Sequence, residues 1–129
     1  MLFFYCTRFM EFNVKIHPIY ASFAIVLLIG IMYVSLLPKA ELPEAPLLQA
    51  DKLVHFSMYA ILAYFIHKGF FNQKLANAIG LACLMSFLYG FIVECSQYYF
   101  TSSRMFDVFD IFANGTGAIF AYIVVNKYL

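Results

Sequence analysis

The residues of this chain that have chemistry to offer are few, and they come in three short runs. Asp51, Lys52 and His55 form the first, with Tyr59 one helical turn further on. Glu94 and Gln97 form the second, and Arg104, Asp107, Asp110 and Asn114 the third. Only 12% of the residues are charged, so the grouping stands out from its background. A histidine beside carboxylates can move protons. A guanidinium can grip a phosphate or a carboxylate with two parallel hydrogen bonds. Ionisable groups at lipid depth are costly enough that a working site or a required polar lock is the default reading of such runs.

Their spacing says which elements must hold them. Asp51 and His55 stand four apart and share a face if a helix begins near Asp51, with Tyr59 continuing that face. Asp107, Asp110, Asn114 and Gly117 follow at i, i+3, i+7 and i+10, one face of another helix. Ala78, Ala82, Ser86 and Gly90 recur every four residues, with Glu94 next in the series. Small residues at this spacing let helix backbones approach in lipid, which puts Glu94 on a packed face. Ala113, Gly117 and Ala121 repeat the pattern in the next helix.

The composition points to a membrane as the solvent. The chain has 129 residues, enough for one domain. It is 64% hydrophobic, with a mean hydropathy of +0.83, against roughly 45–50% apolar residues in soluble domains. A net charge of +1 leaves no basic face for nucleic acid. Cys6, Cys83 and Cys95 fit no zinc or redox spacing.

The pattern predicts an all-α, polytopic membrane protein, a four-helix transmembrane bundle. Residues 1–17 mix aromatic residues with Arg8, Glu11, Lys15 and His17 and read as an interfacial or cytoplasmic N-terminal segment; Met10 is an alternative start. Residues 18–129 form the transmembrane domain, with spans at about 18–37, 53–69, 75–98 and 108–125. The first is uncharged and about 20 residues long, too long for the apolar region of a signal peptide and enough to cross about 30 Å of hydrocarbon. Arg8, Lys15, Lys68, Lys74 and Lys127 fall on one side, Lys39, Lys52 and Arg104 on the other, which places both termini in the cytoplasm and the polar runs outward.

Three ordered motifs then carry a resemblance. DKLVHFSMYAILAYF, GFIVECSQYYF and SRMFDVFDIFANGTGAIFA resemble the VanZ-like membrane proteins, matching at Asp51, Lys52, His55, Phe56, Tyr59, Glu94, Gln97, Arg104, Asp107, Asp110, Asn114 and Gly117. The match covers the last three spans. It implies a small multi-pass protein of the bacterial inner membrane and an association with low-level resistance to the glycopeptide teicoplanin. The resemblance names a family more firmly than a reaction.

Several readings of the residues stay open. Glu94 is either a structural carboxylate paired across the bundle or a group that binds a ligand or moves a proton. Arg104 is either the ion-pair partner of Asp107 or Asp110 or an anchor for phosphate or carboxylate. One of Asp107 and Asp110 is explained by capping the helix that follows. A metal site drawn from His55, Glu94 and Asp110 lacks any HxxxH or HExxH spacing, so no metal and no cofactor is expected. No serine nucleophile has an elbow motif or an evident base.

Three functions follow. The preferred one is a binding protein whose outward polar pocket engages a lipid-linked or cell-wall precursor within the envelope. The alternative is an intramembrane enzyme on a lipid headgroup, with Glu94 and His55 as acid and base and Arg104 holding phosphate. The third is a polar lock with no external ligand. The expected partner common to all three is the lipid bilayer; no nucleic acid is expected, and the oligomeric state is not legible.

Overall fold

The computed structural model describes residues 16–38, 48–71 and 77–129, and its regular elements there are four α-helices. They are α1 (Pro18–Leu36), α2 (Leu48–Phe70), α3 (Ala78–Phe100) and α4 (Val108–Tyr128). The bulk of the expected interfacial segment, residues 1–15, lies outside the described residues. So do four of the cations in the orientation argument: Arg8, Lys15, Lys39 and Lys74.

α1 opens with Pro18, whose fixed φ and missing N–H suit a first helical position. It ends just before Leu37 and Pro38, where the residue ahead of a proline is driven out of helical geometry. It buries a narrow face of Ala21, Ala24, Ile31 and Ser35, while Ile19, Val26, Ile29 and Tyr33 point outward. A helix apolar on all sides is a lipid-facing helix.

Consecutive helices run antiparallel. At one end the His17 backbone N–H donates to the Gly69 carbonyl at 2.8 Å, so the start of α1 meets the finish of α2. At the other end Lys52, early in α2, reaches Asp107 and Asp110 at the start of α4, and Glu94, late in α3, accepts from the Asp107 backbone N–H. The core is built along α2: Tyr59, Leu62 and Ile66 pack with Ala24 and Ile31 of α1 and with Ala78, Ala82 and Val93 of α3. On another side, Ala60 and Ala63 meet Ala121 of α4.

Backbones touch at two glycines. A Cβ on Gly69 would lie 2.7 Å from the Ala21 nitrogen, and one on Gly117 would run into the Phe56 carbonyl. Polar ties join α3 to each of the other three helices. The Ser86 hydroxyl donates to the Tyr59 carbonyl at 2.9 Å, the Tyr89 hydroxyl to the Leu28 carbonyl, and the Cys83 thiol to the Ala118 carbonyl at 3.0 Å.

The four expected helices are present, but three of them, α1, α3 and α4, are long and apolar enough to cross a membrane. The expectation of four such spans is corrected at α2. That helix is 23 residues long, with Asp51, Lys52 and His55 at one end and His67 and Lys68 at the other. It touches all three other helices, so protein rather than lipid covers much of it. Its boundaries also move, from about 53–69 to Leu48–Phe70, and the third helix begins at Ala78 rather than near Leu75.

Candidate polar site at one end of the bundle

The three sequence runs meet where α2 and α4 begin and α3 ends. The small-residue series of α3 is buried from Ala78 through Ala82, Ser86 and Gly90 to Glu94, so the period carries a carboxylate into the interior. Glu94 and Asn114 are each 1% exposed, Gln97 3% and Asp110 8%. Asp110, Asn114, Gly117, Ala118 and Ala121 form the buried face of α4, whereas Ala113 of the expected stripe is only partly buried.

Each buried charge has a local account. Glu94 Oε1 accepts the Asp107 backbone N–H at 2.7 Å. With the Gln97 amide nitrogen turned toward the carboxylate, Gln97 donates to Glu94 Oε2 at 3.1 Å and accepts from Arg104 Nη1 at 2.7 Å. Asp107 caps α4 by accepting the Phe109 N–H at 2.8 Å, as the capping alternative for one of the two aspartates holds. Lys52 Nζ donates to Asp107 Oδ2 at 2.6 Å and also to Asp110 Oδ1. The Lys52 ammonium holds the Asp107 carboxyl below its usual range.

Lys52, not Arg104, is therefore the cation that pairs with these aspartates. Arg104 makes no ion pair among the described residues, and its Nε is buried without a partner there. Nothing in the residue types separates the two cations. Register does so: Lys52 sits at the start of α2, level with the start of α4.

His55 lies between the helices. Its Nδ1 is 3.0 Å from Asn114 Oδ1, and its Nε2 faces Asp51 Oδ1 at 3.9 Å and Asp110 Oδ2 at 3.8 Å. Asp51 stays exposed at the rim. The Tyr59 ring stacks below His55, with centroids 6.4 Å apart and planes 16° from parallel. Tyr59 is 1% exposed, and its hydroxyl has no hydrogen-bond partner among the described residues. Gly90 forms part of the floor: a Cβ there would come within 2.7 Å of Asn114 Nδ2 and 2.9 Å of Tyr59 Cε1. Its role was legible only as one more small residue in the α3 series.

The arrangement brings four carboxylates (Asp51, Glu94, Asp107, Asp110) to one end of the bundle with two permanent cations, Lys52 and Arg104. Counted formally, four carboxylates against two cations leave two negative charges in excess. Such a site favours cations and hydrogen-bond donors over anions. The aromatic residues Tyr98, Tyr99, Phe100 and Phe109 around this end are exposed, as an interfacial belt would require.

A family model described as VanZ/LLP1 matches residues 2–128. No curated protein and no solved structure matches the chain.

Proposed function

We propose that this chain, which belongs to the VanZ/LLP1 family, is a multi-pass protein of the bacterial inner membrane whose polar cluster engages a lipid-linked or cell-wall component of the envelope. Through that contact it lowers susceptibility to glycopeptide drugs such as teicoplanin. The supporting observation is the meeting of three helices at one end around a buried, net-acidic constellation. Structural pairing alone needs no excess of carboxylates, and unpartnered donors remain at Tyr59 and Arg104. The charge balance supports a ligand rich in hydroxyl, amide or ammonium groups. It weighs against the alternative in which Arg104 anchors a phosphate for catalysis by Glu94 and His55.

Helix direction supports α2 as a fourth crossing despite its polar ends. α1 finishes at the end of the bundle where α3 also finishes, so the chain must return across the full thickness before α3 begins, and α2 is the element that returns it. Four crossings keep both termini on one side. The sequence balance of Lys and Arg supports the cytoplasm for that side and an outward face for the cluster.

The polar lock remains a second reading, because both Glu94 oxygens are taken by protein donors. Teicoplanin susceptibility of a sensitive bacterium separates the two. The chain, its Glu94→Gln form and its Asp110→Asn form are expressed at membrane levels matched by immunoblot. Protection by the native chain that both equally abundant variants lose is the expected result. Variants that vanish from the membrane establish the lock. A native chain that gives no protection overturns the glycopeptide reading.

A further inference from the structure

We propose that Asp51, His55 and Asp110 form a binding site for a divalent transition-metal cation, with Mn²⁺ and Zn²⁺ the best fits. The inference does not depend on the glycopeptide reading. One ligand atom from each residue lies within 4.8 Å of the other two. The separations of 3.9 Å and 3.8 Å from His55 Nε2 to the two carboxylates are too long for hydrogen bonds. They are a few tenths of an ångström wider than the roughly 3.3–3.6 Å between tetrahedral ligands on bonds of about 2.0–2.2 Å, a difference that a small side-chain rotation covers.

The carboxylates are divided in the same way. Asp51 turns Oδ2 toward Lys52, 3.9 Å away, and Oδ1 toward His55. Asp110 gives Oδ1 to Lys52 and Oδ2 to His55. Lys52 thus fixes one oxygen of Asp110 by a hydrogen bond and lies nearer one oxygen of Asp51, and the other oxygen of each faces the imidazole.

A second, independent observation concerns the far side of the ring. His55 Nδ1 is held by Asn114 Oδ1 at 3.0 Å, and Asn114 is 1% exposed. In the tautomer that donates from Nδ1 to this oxygen, the Nε2 lone pair faces the carboxylates. Metal-bound histidines are oriented by such an outer hydrogen bond. One turn below, stacked under the His55 ring, Tyr59 offers a third observation: a hydroxyl on a 1% exposed residue, unpartnered among the described residues.

The charge count agrees, because a divalent ion cancels the excess of two. One imidazole with two carboxylates suits Mn²⁺ or Zn²⁺ better than the all-oxygen sets of Ca²⁺ or the thiolate sets of softer ions. Three protein ligands leave a position open for water or for an oxygen of whatever component the site engages. Glu94, grouped with His55 and Asp110 at the level of sequence, is excluded from the ligand set by its bonds to Asp107 and Gln97, and Asp51 takes its place.

The test uses the full chain purified in detergent, stripped with EDTA and titrated with Mn²⁺ while the electron paramagnetic resonance signal of the free ion is followed. One ion per chain, displaced by Zn²⁺, is expected. Asp51→Asn, at an exposed position that leaves the helices intact by circular dichroism, is expected to weaken binding at least tenfold. Asn114→Leu, which removes the acceptor that orients His55, is expected to weaken it about 10–100-fold. Absence of saturable binding by the folded native chain overturns the site, and so does binding that Asp51→Asn and His55→Gln both leave unchanged. Metal binding as expected, in a chain that gives no teicoplanin protection, upholds the site and removes only the glycopeptide reading.

Discussion

Helices α1 and α2 lie against each other, yet they meet their surroundings in opposite ways. α1 has no Asp, Glu, Lys, Arg or His from Pro18 to Leu36 and buries only a strip of small and aliphatic residues. α2 has charged or imidazole groups at both ends and touches every other helix. The difference teaches that hydropathy reports what a helix touches. α1 is apolar because lipid is its neighbour, and α2 can carry Asp51, Lys52 and His55 because α4 supplies their partners. The same contrast appears in their glycines: a Cβ on Gly30 of α1 would meet nothing within 4 Å, while α2 is crossed closely at Gly69, and at Phe56 by Gly117.

The strongest way to break this contrast is Gly117→Leu. The obstructing atoms are the Phe56 backbone, which cannot swing aside, so α4 must separate from α2. Loss of folded protein from the membrane is expected, measured by immunoblot and by resistance to limited proteolysis. An abundant, protease-resistant Gly117→Leu protein would show that the α2–α4 seam is not tight.

Lys52→Met comes next. It strands Asp110, 8% exposed, and Asp107 without their cation. Removing one partner of a buried pair costs about 3–5 kcal/mol. Asp107 is partly solvated, so the lower end of that range is expected in a denaturant titration of the purified chain. Combining Lys52→Met with Asp110→Leu should recover part of the loss, because the more deeply buried carboxylate is gone and only the partly solvated Asp107 stays without its cation.

A smaller effect is expected from acid. The Asp107 carboxyl is depressed chiefly by its hydrogen bond from Lys52. A group with a lowered folded pKa contributes stability above its unfolded value, about 3.9, and loses it as pH falls through the folded value. The native chain should therefore exceed Asp107→Asn in thermal stability at neutral pH. The gap should begin to narrow as pH falls below about 4 and close once pH is below the depressed folded value, where the carboxyl is protonated in both the folded and unfolded chain. A gap that persists unchanged in acid would mean that the helix cap, rather than the Lys52 pair, carries the effect.

The smallest change is Gly30→Ala. With open space around the new methyl group and ordinary helical geometry, a gain of about 0.4–1 kcal/mol is expected from the reduced freedom of the unfolded chain. A loss instead would show that α1 is closely packed at Gly30 as well as at Ala21.

Much of this was legible in the sequence, for physical reasons that differ by residue. The helices follow from long apolar stretches, and the burial of Glu94 follows from the four-residue period of Ala78, Ala82, Ser86 and Gly90. The gathering of three polar runs follows from antiparallel helices of similar length. Two things were not legible. The choice of Lys52 over Arg104 as the partner of Asp107 and Asp110 depends on the offset between α2 and α4, which no spacing within a single helix records. The polar ends of α2 were read through its apolar middle, so four equivalent spans were expected where three meet the requirement by composition.

The Cys83 thiol, bonded to the Ala118 carbonyl across the α3–α4 seam, turns an inconspicuous side chain into a clock. The thiol is half-buried and engaged in that contact, so an alkylating reagent reacts with it faster when the two helices part. Once Cys6 and Cys95 are replaced by alanine, the rate of labelling at Cys83 reads how often α4 breathes away from α3. Breathing of this kind is local opening, with a free energy between zero and that of global unfolding. Anything seated among Asp107, Asp110 and Asn114 at the head of α4 would slow that clock, so occupancy of the polar end becomes measurable from the middle of the bundle.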